Sequence, residues 1–379
     1  MKVLIVSSRF PWPPYTGDRL RALIWIEALL PVAEVTLVAP AGEAADPGGA
    51  FHHVPARRGG RVSAGAQAFM KGLPFHSLVS AGHDWSEALQ RAESERGPFD
   101  VAVVLLSRLH PWVDASIRAP RKILDAIDSL ALSVEQRAGE ARGPWRAFWR
   151  REVGRTRVLE SGISDFYERV IVVNEKECPV FGSKAVAIPN GVAIEPLADS
   201  PREFDFGFWG RLAYFANRDA ALLLTSEIWP ALRAKEPDSR LLIAGADAPK
   251  QILQHDGIDG VRVISPMEDR SAVLRNISIA LFPVRFGTGQ SNKLLEAAEA
   301  GCAIVATPEA LRGLDELAAV SVVEPDVKKF PEVSARLLRD QEKIESMRKA
   351  GRSVVETHYS REASSERLRR AVFEGAEGE

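Results

Sequence analysis

Short runs of Val, Ile and Leu recur along the chain between longer amphipathic stretches, and this alternation restricts the fold more than any other feature. One set of runs lies at 2–7, 34–39, 101–106, 121–127 and 169–173, and a second at 204–209, 240–244, 261–265, 279–284, 303–306 and 320–324. Near-continuous apolar runs belong to strands covered on both faces, and strands that alternate with helices form parallel sheets. Each set suffices for one sheet. The expectation is therefore an α/β protein with two Rossmann-like, doubly wound domains. A length of 379 residues also exceeds what one hydrophobic core usually serves.

The join falls in AIPNGVAIEPLADSPREF, residues 187–204, which is rich in Pro, Gly and acids and has no apolar period. It divides the chain into 1–190, 191–355 and a tail helix over 356–379 expected to return to the first domain. Asn190-Gly191 reads as a structural turn. In open α/β sheets ligands meet the loops that follow the strands, so two such domains are expected to face each other across a ligand cleft.

The segment FPVRFGTGQSNKLLEAAEAGCAIVAT, residues 282–307, carries the most chemistry. A strand leads into a loop with Gly287 and Gly289, and a helix is expected from about 290 to 300, closed by Gly301. Free N–H groups at a helix start form an anion site. Lys293 sits there against the helix dipole, which a bound phosphate would relieve. Glu296 lies three residues on along the same face, placed to accept hydrogen bonds from the hydroxyls of a ribose. The competing reading is a surface Lys–Glu pair beside an ordinary loop, since such pairs are common and weak.

This segment resembles the signature of retaining glycosyltransferases of family 4, of GT-B fold, whose helix carries a glutamate for the donor ribose. Glu296 stands in that place. Where the family usually has a second glutamate, this chain has Thr288. The lysine three residues before the ribose glutamate, here Lys293, is shared with a subgroup of sugar transferases of exopolysaccharide clusters. The resemblance extends to FDFGFWGRLAYFANRDA from Phe204, whose Gly210 and Arg211 match a Gly-Arg in which the arginine clamps the donor diphosphate. It extends also to SSRFPWPPYTGDRLRALIWIEALL from Ser7, where Gly17 and Asp18 occupy the family's Gly-Gly loop.

The resemblance implies a donor site of Gly17, Gly210, Arg211, Gly287, Thr288, Gly289, Lys293 and Glu296, with Arg211 and Lys293 stabilising the leaving diphosphate. The substrates are a nucleotide-diphosphate sugar and a hydroxyl acceptor, and 1–190 is the acceptor-binding domain. For Asp18, Asp125 and Asp128 two readings stand, an acceptor contact or a helix cap. His110 follows a strand and is a candidate base. No Asp-x-Asp is present, so no metal and no cofactor are expected, with cations neutralising the leaving group instead. A sugar-nucleotide epimerase on the same fold, or a sugar-nucleotide-binding protein without catalysis, are the alternatives.

Composition narrows the rest. A net charge of −2 with scattered basic residues gives no electrostatic footprint for nucleic acid. Cys178 and Cys302 form neither a disulfide framework nor a metal cluster and suit a reducing compartment. The apolar stretch from Ala22 to Val38 is broken by Glu27, Pro31 and Glu34, so a cytoplasmic protein is expected. Within RGPWRAFWRREVGRTRVLE, 142–160, Trp145, Phe148, Trp149 and Val153 share a helical face among arginines. That face either packs on its own domain or docks on an anionic membrane, which would place the protein at the inner membrane face.

Overall fold

The computed structural model describes residues 1–14, 16–42, 50–59, 70, 72–197, 201–287 and 289–374. The chain forms two compact units. One comprises Met1–Asn190 with the C-terminal segment from Glu362, and the other Gly191–Arg361.

The first unit is built on a seven-stranded sheet in the order β3-β2-β1-β4-β5-β6-β7. Its strands are β1 (Lys2–Val6), β2 (Glu34–Pro40), β3 (His52–Ala56), β4 (Val101–Leu105), β5 (Arg121–Ile127), β6 (Arg169–Val172) and β7 (Ala185–Ala187). Every pairing is parallel. Alternate residues feed opposite faces, as the pleat requires. Leu4, Val6, Val104 and Leu124 join one apolar cluster. Val3, Ile5, Val103 and Ile123 join another, with Ile24 and Trp25 of the helix Gly17–Leu29. Leu368, Ala371 and Val372 of the helix Arg361–Phe373 enter this second cluster, so the tail helix completes the first unit. Ser364 Oγ donates to the Pro189 carbonyl at 2.8 Å, fixing the helix beside the end of the N-terminal segment.

The second unit has a six-stranded sheet in the order β10-β9-β8-β11-β12-β13. The strands are β8 (Phe204–Trp209), β9 (Leu241–Ala244), β10 (Val261–Ile264), β11 (Ile277–Phe282), β12 (Ala303–Ala306) and β13 (Val322–Val323), again all parallel. A single apolar cluster covers both of its faces.

β3 and β7 have no counterpart in the apolar runs. Both are edge strands: His-His-Val-Pro-Ala at one side and three residues at the other. Edges are half solvated and tolerate Pro and polar residues, so neither carries a hydrophobic signature. The expected linker includes 198–200, and the end of the tail 375–379, both outside the described residues.

Candidate functional site

In the second unit the site grows from the carboxyl ends of β8, β9 and β11. Gly210 follows β8 and Gly245 follows β9, and the two loops run together. Gly210 N–H donates to the Ala244 carbonyl at 3.1 Å, and Leu212 N–H to that of Ala246 at 2.8 Å. A Cβ on Gly245 would lie 1.7 Å from the Gly210 carbonyl oxygen, so only glycine fits there. A Cβ on Gly210 would meet Asn217 Nδ2 at 2.8 Å and Lys293 Cδ at 3.2 Å. The glycine is what lets the lysine stem lie across the end of β8.

Lys293 and Glu296 are carried by the helix Asn292–Glu299, which begins after Ser291 without a side-chain cap bond. Leu294, Leu295, Ala297 and Ala298 bury the opposite face, which fixes the direction of the two charged residues. Gly301, at φ +67°, ends the helix, and the N–H groups of Gly301 and Cys302 return to the carbonyls of Ala298 and Ala297. Gly289, at φ +72°, takes the left-handed conformation in the entry loop. Gly287 has open space where a side chain would be. Thr288 lies outside the described residues.

Glu296 is held from two sides. Trp209 Nε1 donates to its Oε2 at 3.0 Å, and Arg270 Nη1 to its Oε1 at 2.6 Å. Lys293 makes no hydrogen bond to any described residue; burial lowers its pKa, Glu296 pulls it back up and Arg270 pushes it down. A half-buried cation beside a helix start is placed to receive an anion. Arg211 points elsewhere, its Nε 2.8 Å from Asp247 Oδ2, with both side chains more than half exposed. An exposed pair of that kind is weak and exchanges readily for a phosphate.

The first unit treats its expected residues differently. Asp125 is buried, and accepts from Arg21 Nε and Trp25 Nε1 at Oδ2 (both 2.6 Å) and from Ile127 N–H at Oδ1 (3.0 Å). Its oxygens serve the fold, which corrects the expectation of an acceptor contact. It is no cap either: the cap of the helix Leu130–Glu140 is Ser129, whose side chain accepts from Leu132 N–H. His110 is buried, with Nδ1 3.1 Å from the Tyr167 hydroxyl and its ring on Phe166, and burial holds its pKa below the ordinary histidine value. That enclosure corrects the expectation of a base.

Asp18 lies in the first turn after Gly17, accepts from Thr16 Oγ1 at 2.6 Å, and sits 3.5 Å from both Arg9 and Arg108. The N-cap position itself is Thr16. Asp128 follows β5, half-buried. Burial and the neighbouring Glu177 and Glu160 push its pKa up to about 7, against the pull of Arg108. That value poises Asp128 to exchange a proton near neutrality.

The helix Pro144–Ile163 buries Glu152, Thr156, Glu160 and Ile163. Glu160 accepts from Ser107 Oγ, Ser129 Oγ and the N–H groups of Leu130 and Ala131, so this polar face packs inward because its carboxylates satisfy donors there. The aromatic residues continue the same stripe toward the helix start, where Phe148 stands 6.2 Å from Phe75 and Trp149 stands 6.3 Å from His76 and under Arg137. Trp145 is 66% exposed, next to Phe148 and with Arg142, Arg146, Arg150 and Arg151 exposed around it.

Residues 203–340 match the family model for glycosyl transferases group 1. This segment is a group 1 glycosyltransferase domain. It contains Trp209, Gly210, Arg211, Arg270, Lys293 and Glu296. The phosphatidyl-myo-inositol mannosyltransferase of Mycolicibacterium smegmatis is 29% identical over 167 residues, 40% of this chain and 43% of that protein. The corresponding protein of Mycobacterium leprae is 25% identical over 165 residues, 40% of this chain and 44% of its own. The chain thus aligns with under half the length of these curated relatives.

Solved structures are similar over nearly the full length. Sucrose-phosphate synthase from Thermosynechococcus elongatus superposes with a TM-score of 0.73 at 15% identity, covering 98% of this chain and 99% of that one. Anabaena HepE in complex with UDP-glucose gives 0.68 at 13% identity, with the same coverage. Flanking the group 1 domain with a second parallel sheet, the chain has the GT-B fold.

Trp209 and Arg270 were not among the residues the sequence pointed to. Trp209 reads as one more apolar strand residue, and Arg270 lies outside the 282–307 motif. Asp269, whose side chain caps the short helix Arg270–Arg275, was the one local signal near it.

Proposed function

We propose that the protein is a retaining glycosyltransferase. It moves a sugar from a nucleotide-diphosphate sugar, bound by Gly191–Arg361, to the hydroxyl of an acceptor read by the first unit. The observation that carries this reading is the juxtaposition of Lys293 with a fixed carboxylate: the lysine stem lies against Gly210, its ammonium makes no hydrogen bond to any described residue, and Glu296, one helical turn on, is held by Trp209 and Arg270 inside a segment that matches the group 1 model. Lysine suits the diphosphate and Glu296 the ribose. HepE, of the same fold, was solved with UDP-glucose, which supports a donor of that class.

In the proposed reaction the bond between the anomeric carbon and the diphosphate oxygen breaks. Negative charge grows on the diphosphate, where Lys293 and, once released from Asp247, Arg211 stabilise it without a metal or cofactor. The acceptor oxygen bonds to the anomeric carbon on the face the diphosphate leaves, and its proton passes to the departing phosphate oxygen. Gly210, Gly287 and Gly289 are the glycines of this donor site, with Thr288 and Gly17 as the further donor contacts the family resemblance implies. Asp128 and Asp18 are the acceptor contacts that remain once Asp125 and His110 are assigned to the fold.

The test is a binding and hydrolysis panel of UDP-, GDP-, ADP- and TDP-sugars. A transferase binds one class and hydrolyses it slowly without acceptor. Binding without turnover points to a sugar-nucleotide-binding protein, and inversion at another sugar carbon to an epimerase. No binding of any donor refutes the reading.

We also propose that the exposed aromatic end of Pro144–Ile163 docks on an anionic membrane surface at the inner membrane face. Trp145 at the helix start is exposed, and arginines surround it. No helix among the described residues is long and apolar enough to cross a membrane.

A further inference from the structure

The two donors that hold Glu296 are unequal. Trp209 is 1% exposed and stands with its ring 5.2 Å from that of Phe282 at 74°, so its N–H cannot turn to water. Arg270 is at the first turn of a six-residue helix with its side chain 48% exposed. One donor is a fixed post and the other is exchangeable. Each carboxylate oxygen accepts two hydrogen bonds, so both oxygens retain capacity for a hydroxyl.

Arg270 also governs Lys293. The ammonium lies one turn from Glu296 and is attracted to it, yet the hydrogen bond to Oε1 belongs to Arg270. With Oε1 occupied by arginine, the lysine makes no hydrogen bond to Glu296.

We propose that Trp209 and Arg270 are positioning residues that orient Glu296 to select ribonucleotides over 2′-deoxyribonucleotides, with Arg270 also keeping Lys293 available for the diphosphate. The proposal rests on the donor reading above. A carboxylate pinned toward a ribose diol loses a partner when one hydroxyl is absent and cannot turn to replace it, and a site built to bind a hydroxyl rejects the analogue that lacks it. A loose carboxylate re-pairs with the remaining hydroxyl or with Lys293, and selectivity falls.

The test is calorimetric titration of the full chain with UDP, GDP, ADP and CDP, each against its 2′-deoxy counterpart. The wild-type protein is expected to prefer the ribonucleotide of its chosen base by roughly tenfold or more, the worth of one hydrogen bond to a charged acceptor. Trp209→Phe and Arg270→Ala are expected to bring that ratio to within about twofold, with Arg270→Lys recovering most of it. Arg270 is at the surface, so its variants keep the test decisive if Trp209→Phe does not fold. A wild-type ratio near one, or an Arg270→Ala ratio equal to wild type, overturns the proposal while leaving the donor reading intact. A wild-type protein that binds none of these nucleotides overturns both.

Discussion

Arg21 and Asp125 form an ion pair with Nε 2.6 Å from Oδ2, and both side chains are fully buried. The same oxygen takes the Trp25 indole N–H at 2.6 Å, and Arg21 Nη1 reaches Asn190 Oδ1 at 3.1 Å. The first helix, the end of β5 and the last residue of the N-terminal segment are thereby tied at one point. Removing one partner leaves a buried, uncompensated charge, at a cost of about 3–5 kcal/mol. Asp125→Ala is expected to lower the calorimetric melting temperature by on the order of 10 °C. The double variant Arg21→Met/Asp125→Leu is expected to recover most of that loss. A single variant that melts with the wild type would show the pair to be dispensable.

Lys293 sets function against stability. The residue is half-buried, its ammonium makes no hydrogen bond to any described residue, and burial lowers its pKa. Lys293→Met keeps the stem across Gly210 and removes the charge. The melting temperature is expected to rise by a few degrees, while affinity for the chosen nucleoside diphosphate falls by roughly tenfold or more. A variant that binds as tightly as wild type removes lysine from the donor site.

The strands buried in the sheet centres were legible because burial on both faces leaves a run such as Val-Ala-Val-Val-Leu at 101–105. The helix bearing Lys293 and Glu296 was legible because its glycines and its period lie within one local segment. Asp125 was misread for the opposite reason. A carboxylate at a strand end looks the same whether it faces a ligand or an arginine, and its arginine is 104 residues away. Arg270 and Trp209 were missed for the same reason: they meet Glu296 across 26 and 87 residues, respectively. In 142–160 the period was visible, but the continuation of the aromatic stripe into a buried Glu160 depended on donors at Ser107, Ser129 and Leu130 that only the fold assembles.

Asp128 gives the first unit a pH signature. Its folded pKa of about 7 exceeds the ordinary carboxylate value, so between about pH 4 and 7 the folded chain keeps a proton that the unfolded chain has released. Stability from this group is present at low pH and is lost as pH rises through that window. Asp128→Asn removes the loss. The variant and the wild type are expected to melt together near pH 4, and the variant on the order of 5 °C higher at pH 8. A constant difference at both pH values would mean that Asp128 does not titrate in this window.

The arginine-ringed end of Pro144–Ile163 yields the last prediction. Trp145 is exposed, so Trp145→Ala is expected to leave the melting temperature within about 1 °C, as for most surface substitutions. Burial of one such aromatic side chain in a lipid interface contributes about 2 kcal/mol, and each exposed arginine adds attraction to anionic headgroups that salt screens. Wild-type protein is therefore expected to sediment with vesicles containing phosphatidylglycerol, less so with phosphatidylcholine alone, and less as salt is raised. Trp145→Ala is expected to bind the anionic vesicles roughly tenfold more weakly. Arg146→Glu/Arg150→Glu is expected to remove the dependence on phosphatidylglycerol while sparing the fold, because both arginines are exposed. Equal sedimentation of wild type with and without anionic lipid, or none with either, would leave the aromatic face without its membrane partner.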